Sequence, residues 1–208
     1  MNAGVPKQFL PLADKPILFY SLEAFHHFDR EMLIVIALPA HHITLWSNLC
    51  TDHGLRVPHQ VVAGGESRFD SVRSALQVIP DTGLVAIHDG VRPLISVALI
   101  SRCFAKAATS GNCIPLVPVN ESLRWIDGAN CKPINREQVR LVQTPQVFDS
   151  AQIKAAYMQP FCKDFTDDAT VLESTGKAIH FIEGEAENLK ITRPADLFVA
   201  GELLVRRR

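Results

Sequence analysis

Leu84-Val85-Ala86-Ile87-His88-Asp89-Gly90-Val91-Arg92-Pro93 is an apolar run that ends abruptly in an acid, a glycine and an arginine. A short run of this kind reads as a strand buried on both faces, and in open parallel sheets ligands collect beyond the carboxyl ends of such strands. Asp89 and Arg92 fall within one turn of each other, and Gly90 lets a ligand approach the backbone, so the pair could grip something polar and anionic. An Asp-Gly turn with a surface arginine fits the same residues, and other segments must decide. Lys190, in Glu187-Asn188-Leu189-Lys190-Ile191-Thr192, stands in an otherwise apolar strand, where a cation is costly unless it meets an anion. Lys7 lies between rigid turn residues in Pro6-Lys7-Gln8-Phe9-Leu10-Pro11-Leu12, a place that suits either solvent or a ligand. The stretch Ala63-Gly64-Gly65-Glu66-Ser67-Arg68-Phe69-Asp70-Ser71 follows one strand and opens a helix. Its glycines can expose backbone N–H groups and its hydroxyls can bond a base or ribose, although a Gly-Gly turn with a Ser cap is also ordinary punctuation.

The elements that must position these residues alternate along the chain. Residues 15–27 carry apolar side chains at helical spacing, 32–38 form a β-rich run, 40–53 are helical and 57–63 strand-like. A Ser-capped helix over 67–79, a strand at 84–87, a helix over 96–108 and a strand at 113–119 continue the rhythm. The pattern breaks at 120–141, which alternates polar and apolar residues around Asp127-Gly128 and reads as an exposed β-hairpin arm inserted in a single 1–208 domain. Such an arm has little core of its own, so it is expected to pack on a second copy of the chain. Helices at 150–158 and 167–175, strands at 179–183 and 189–192, and a helix after Pro194 complete the series. Alternation of this kind predicts an α/β fold, a doubly wound and mostly parallel sheet with helices on both faces.

Composition narrows the function classes. A chain of 208 residues, 47% hydrophobic and 21% charged, is long enough to bury a real core and argues against disorder. A net charge of −1 and a pI near 6.7 give no general surface for nucleic acid or anionic membranes. Five widely spaced cysteines without a Cys-x-x-Cys pair fit reduced thiols in a cytoplasmic protein and speak against structural zinc. No apolar run approaches the roughly 20 residues of a membrane span. The pairs His26-His27 and His41-His42 sit on adjacent helical positions about 100° apart, so surface placement is expected rather than chelation. Asp167-Asp168 are expected to cap the helix that follows and to orient neighbouring site residues rather than to bind metal, and Trp46 and Trp125 to serve packing or the arm.

Several short motifs recur in one order: Pro-Lys-Gln-Phe at 6–9, Gly-Gly-x-x-Arg-x-x-Ser-Val at 64–72, His-Asp-Gly-Val-Arg-Pro at 88–93, and Asn-Arg ahead of Gln-Thr-Pro-Gln within 135–146. Phe165-Thr166-Asp167-Asp168-Ala169 and Asn188-Leu189-Lys190-Ile191-Thr192 complete the set. In these motifs the chain resembles, over nearly its whole length, the 2-C-methyl-D-erythritol 4-phosphate cytidylyltransferases of isoprenoid precursor synthesis. The resemblance implies a Rossmann-like nucleotidyltransferase domain with a dimerising β-arm. It also implies a reaction in which a phosphate oxygen of the polyol phosphate attacks the α-phosphorus of CTP with Mg²⁺ present, releasing pyrophosphate.

Nucleotidyl transfer needs charge neutralisation and alignment more than covalent help, so lysines should surround the α-phosphate. By resemblance, Lys7 and Lys190 are the catalytic candidates and also contact CTP. Gly65, Glu66, Ser71, Asp89 and Gly90 would border the nucleotide. Asp89, Arg92, Ser122, Arg136 and Thr144 would hold the acceptor, Ser122 and Arg136 from the arm of the other subunit. Ser122 replaces the family's usual threonine and keeps the hydroxyl. The divalent cation would ride on the triphosphate rather than on protein ligands. Ribitol-5-phosphate cytidylyl transfer and a non-catalytic scaffold are the competing readings. Family members open with a strand and a glycine-rich loop that wraps the triphosphate, whereas this sequence opens Met1-Asn2-Ala3-Gly4-Val5-Pro6. A working protein extended upstream by one strand and loop, roughly 20 residues, is therefore expected. Without that central strand, unpaired backbone and a slot in the core are expected.

Overall fold

A computed structural model describes residues 5–207; Met1, expected to coincide with the methionine that ends the family's loop, lies outside the described residues with its neighbours to Gly4. After a short 3₁₀ turn over Lys7–Phe9, strands β1 (Pro11–Leu12) and β2 (Lys15–Pro16) form a small antiparallel clip. It leads into helix α1 (Ile17–Phe28), so the helix expected from residue 15 begins two residues later. Then follow β3 (Val35–Leu38), α2 (Ile43–Asp52), β4 (Gln60–Ala63), α3 (Arg68–Leu76), β5 (Leu84–Ile87), α4 (Val97–Ser110) and β6 (Asn112–Pro118). The local reasons are those the sequence offers. Ser67 and Ser96 accept from the backbone N–H of Asp70 and Leu99 at the openings of α3 and α4, and Gly111, at φ 79°, ends α4 in the left-handed conformation.

The arm is a hairpin of β7 (Leu123–Asp127) and β8 (Asn130–Ile134), turning at Gly128 with φ 56°. Its expected extent needs trimming, because β9 (Arg140–Val142) returns to the body and pairs with β6. Next comes a strand the sequence reading passed over, β10 (Gln146–Asp149), inserted antiparallel between β5 and β6. Helices α5 (Ser150–Ala156) and α6 (Asp168–Glu173), strand β11 (Phe181–Glu183) and helix α7 (Pro194–Arg206) finish the chain. The strand expected at 189–192 does not form. Ile191 makes one backbone bond, to Val91 O, and side chains of Asn188 and Asp196 hold the segment in place of a ladder.

The main sheet has the order β11-β6-β10-β5 with β9 beside β6. Strands β5, β6 and β11 run one way, and β9 and β10 run against them. Strands β3 and β4 make a separate parallel pair. Among the described residues, no strand lies on the edge of β3 away from β4 or on the edge of β5 away from β10. Helix α1 packs across both pieces: Phe19 and Leu22 join Leu38 and Trp46 on one side, and Phe25 joins Ile34, Leu84 and Ala86 on the other. Apolar packing thus joins what no hydrogen-bond ladder joins.

Candidate active site

The carboxyl end of β5 delivers Asp89, whose side chain is 11% exposed. Its Oδ2 lies 3.0 Å from Lys190 Nζ and 3.3 Å from Arg92 Nε, and its Oδ1 lies 3.5 Å from Arg68 Nε. Burial pushes this carboxyl up, but Lys190, Arg68 and Arg92 outweigh it and hold it below the usual carboxylate range. Three cations around one carboxylate leave positive charge at the strand end, even with a second carboxylate, Asp168, on Arg68. Such a site receives anions.

The groups around Asp89 do different work. Arg92 was expected to face the acceptor, yet it is 8% exposed and its donors are spent inward: Nη1 on Asn188 O at 2.8 Å and Nη2 on Val142 O at 3.4 Å. It clasps the end of β9 and the loop before α7 to the end of β5. Thr144 is likewise buried rather than open to an acceptor; its hydroxyl accepts from Asp89 N–H at 3.0 Å and stands 3.1 Å from His88 Nδ1. His88 Nε2 lies 3.2 Å from Arg92 O. The set is satisfied if Thr144 donates to Nδ1 and Nε2–H donates to the Arg92 carbonyl, which makes His88 neutral. Burial agrees, pulling its pKa down to about 4. His88 and Thr144 therefore shape the turn that carries Asp89.

Lys190 remains half open, its side chain 44% exposed. The segment bearing it is fixed at both ends. Asn188, fully buried, donates to Thr144 O at 2.8 Å, and Asp196 at the start of α7 accepts from Thr192 N and Arg193 N. Lys7 donates to Thr192 O at 3.0 Å, so the two candidate lysines, far apart in sequence, converge on one segment. Beside them lies Gly90, where a Cβ would come within 2.9 Å of Leu18 Cδ1.

The turn before α3 closes the other flank. Gly65 N–H donates to Ser71 Oγ at 3.2 Å, and Ser71 Oγ donates to Ser67 O at 2.9 Å. A Cβ on Gly65 would fall 2.3 Å from Asp70 Cβ, so this turn needs glycine for close approach rather than for backbone sign. Glu66 is exposed at its tip. Arg68 ties the turn to Asp89. Ser122 and Arg136 sit on the arm, where Arg136 donates to Asn120 O at 2.6 Å; among the described residues no hydrogen bond or ion pair joins them to the Asp89 cluster. Sequence reasoning assigned no role to Arg68, His88, Tyr157 or Asn188, and gave Asp168 the general task of capping its helix and orienting neighbouring site residues. The available signals were a basic residue opening a helix and a buried-type asparagine beside Lys190.

The family model for 2-C-methyl-D-erythritol 4-phosphate cytidylyltransferase matches residues 1–207. The enzyme of that name from Bacteroides fragilis is 45% identical over 204 residues, 98% of this chain and 93% of the relative. That from Porphyromonas gingivalis is 45% identical over 206 residues, 98% of this chain and 91% of the relative. The crystal structure of the Thermus thermophilus enzyme shares the fold with TM-score 0.77 and 31% identity, covering 98% of this chain and 95% of that one. With the motifs, the architecture and the cationic strand end in agreement, this chain belongs to the 2-C-methyl-D-erythritol 4-phosphate cytidylyltransferase family.

Proposed function

We propose that this chain joins CTP to 2-C-methyl-D-erythritol 4-phosphate, giving the 4-diphosphocytidyl alcohol and pyrophosphate in isoprenoid precursor synthesis. The observation that carries the reading is the pairing of Lys190 with Asp89 at the end of β5, with Lys7 bound to the same segment at Thr192 O. In the reaction a phosphate oxygen of the acceptor forms a bond to the α-phosphorus, the bond from that phosphorus to the bridging oxygen breaks, and pyrophosphate leaves. Lys190, half exposed and set by a neighbouring carboxylate, offers its ammonium to the charge that develops on the α-phosphate; Lys7 flanks it from the opposite chain end. The turn at Gly64 and Gly65 borders the nucleoside.

Mg²⁺ is part of the proposal as a companion of the triphosphate. Asp89 is already engaged by three cations, and among the described residues no group of three or more His, Cys, Asp or Glu could hold a metal ion. A homodimer through the arm is proposed on the exposure of Trp125 and Ile126, and it would bring Ser122 and Arg136 to a neighbouring site. A cytoplasmic location is proposed on the five unpaired cysteines; among the described residues no helix is long and apolar enough to cross a membrane.

The test is pyrophosphate release from CTP and Mg²⁺ with methylerythritol phosphate and ribitol phosphate offered in parallel. Turnover with the first is expected. Turnover with ribitol phosphate alone, or with neither, overturns the reading. Lys190→Ala should lower turnover by about 10²-fold or more.

A further inference from the structure

Arg68 opens α3, where the positive end of the helix dipole disfavours a cation. It is nonetheless held firmly. Nη1 and Nη2 donate to the two oxygens of Asp168 at 2.8 and 2.6 Å, and the Tyr157 hydroxyl donates to Oδ1 of the same carboxylate at 2.6 Å. Asp168 is fully buried. Its place is set by Gln146 of β10, whose amide oxygen accepts from Ala169 N–H and whose amide nitrogen donates to Asp167. Tyr157 is held in turn by stacking on Phe69, ring centroids 4.6 Å apart. With both Nη groups committed, Nε is the nitrogen of Arg68 left for Asp89 Oδ1, 3.5 Å away.

We infer that Asp168 and Tyr157 form a buried anchor that makes Arg68 a positioning residue for Asp89. Arg68 covers Oδ1 and so turns Oδ2 toward Lys190. The inference rests on the reading of Asp89 and Lys190 as parts of a cytidylyl-transfer site and adds the device that orients them. A carboxylate between three cations can rotate to favour any of them; Arg92, held by backbone carbonyls, and Arg68, held by Asp168, are fixed from behind on opposite oxygens, and Arg68 is the one that occupies Oδ1 and leaves Oδ2 to Lys190. Arg suits the task because its planar fork keeps its direction when two of its nitrogens are tied. The same anchor fixes the Gly64-Gly65 turn, one residue from the Ser67 cap, relative to the end of β5.

A role in stability alone makes a different prediction, because well-packed apolar side chains commonly replace a buried ion pair without loss of stability. The variant Arg68→Met with Asp168→Leu and Tyr157→Phe strands no charge or hydroxyl. Its kcat for pyrophosphate release is expected to fall by about 10–100-fold, the cost of misplacing a reacting group, with KM for CTP changed far less. The second readout is the ¹³C titration of the Asp89 carboxyl, which is faced by Lys190, Arg68, Arg92 and the neutral His88. Its midpoint should rise in the variant, because Arg68 is gone while Lys190 and Arg92 remain. Unchanged kcat, or an unmoved Asp89 midpoint, overturns the inference. Should the triple variant not fold, Arg68→Lys keeps the charge but cannot fork, and undiminished kcat there overturns it equally. If the parent chain itself releases no pyrophosphate, the functional reading fails, while the titration still decides the positioning.

Discussion

The clasp around Asp89 and the β7-β8 arm, which leaves the body just ahead of Gln143 and Thr144, are built on opposite terms. In the clasp, Arg92, Gln143, Thr144 and Asn188 are all nearly inaccessible, and their polar groups are held by one another and by backbone groups, with the buried Asn188 Oδ1 the one side-chain atom among them left without a partner. In the arm, Trp125 and Ile126 are 62% and 63% exposed, and among the described residues the two strands pair only with each other. The clasp spends polar groups inside the protein to hold a geometry, whereas the arm leaves apolar groups outside it. A buried polar network has value only when complete, because each missing partner strands another group. An exposed apolar hairpin costs the single chain little and becomes useful when something covers it.

The sharpest test sets Arg92 against Lys190, two cations on the same Asp89 oxygen. Arg92→Ala leaves Asp89 with Lys190 and Arg68 but removes its buried partner, empties the space the guanidinium fills and strands the buried Asn188 carbonyl, and should cost about 2–4 kcal/mol in urea unfolding. Lys190→Ala removes a half-exposed partner and should cost less than about 1 kcal/mol, despite its large effect on turnover. Equal unfolding midpoints for the two variants would remove the distinction between a cation that holds the site and one that uses it.

Much of this was legible in the sequence, and the exceptions share a cause. Strand β5 stood out because it is a short apolar run, and α3 and α4 because their serine caps and apolar spacing are local signals. Strand β10 was missed. Gln146 opens it with a buried amide that exists to hold α6, and a polar residue in a four-residue strand masks the run. The opposite error occurred at 189–192, where Leu189, Ile191 and their neighbours look like a strand but are fixed by side chains reaching from Arg92, Asp196 and Lys7. Long-range polar partners carry no sequence spacing of their own. For the same reason the sequence pointed to Arg92 and Thr144 as site residues but not to their inward direction. Asp167 is the cap expected of it, since its partner Thr170 is local; Asp168, one residue on, does not cap, and the site residue it orients, Arg68, lies 100 residues away, beyond what spacing could name.

His88 offers a second measure of how closed the clasp is. Buried and neutral, it titrates at about 4 in the fold against an ordinary value of 6.5. Between those pH values the unfolded chain takes up a proton that the folded chain refuses, so stability falls as pH drops through that window and is unaffected by this group above it. The full loss is about 3 kcal/mol. Urea unfolding between pH 7 and 4 should show the wild-type chain losing stability more steeply than His88→Gln, which keeps a donor toward the Arg92 carbonyl and cannot titrate. Parallel curves would mean that the imidazole accepts its proton in place, and that the clasp is looser than its hydrogen bonds indicate.

The smallest effect on the single chain should come from the arm. Trp125→Ser removes a side chain that the fold leaves mostly in water, so unfolding of the monomer should shift by no more than about 0.5 kcal/mol. Association should respond very differently. A two-stranded hairpin is marginal in isolation, and this one lacks a sheet to lie on within its own chain, so its order and its exposed Trp125 and Ile126 are explained together if a second copy covers them. Sedimentation velocity at micromolar concentration should then show a dimer for the wild-type chain and a shift toward monomer for Trp125→Ser. Because Ser122 and Arg136 share the arm but not the Asp89 cluster, a variant that dissociates should also lose acceptor affinity while keeping affinity for CTP. A wild-type chain that sediments as a monomer, or a dissociated variant with unaltered acceptor KM, would separate the arm from the site and leave each to be explained alone.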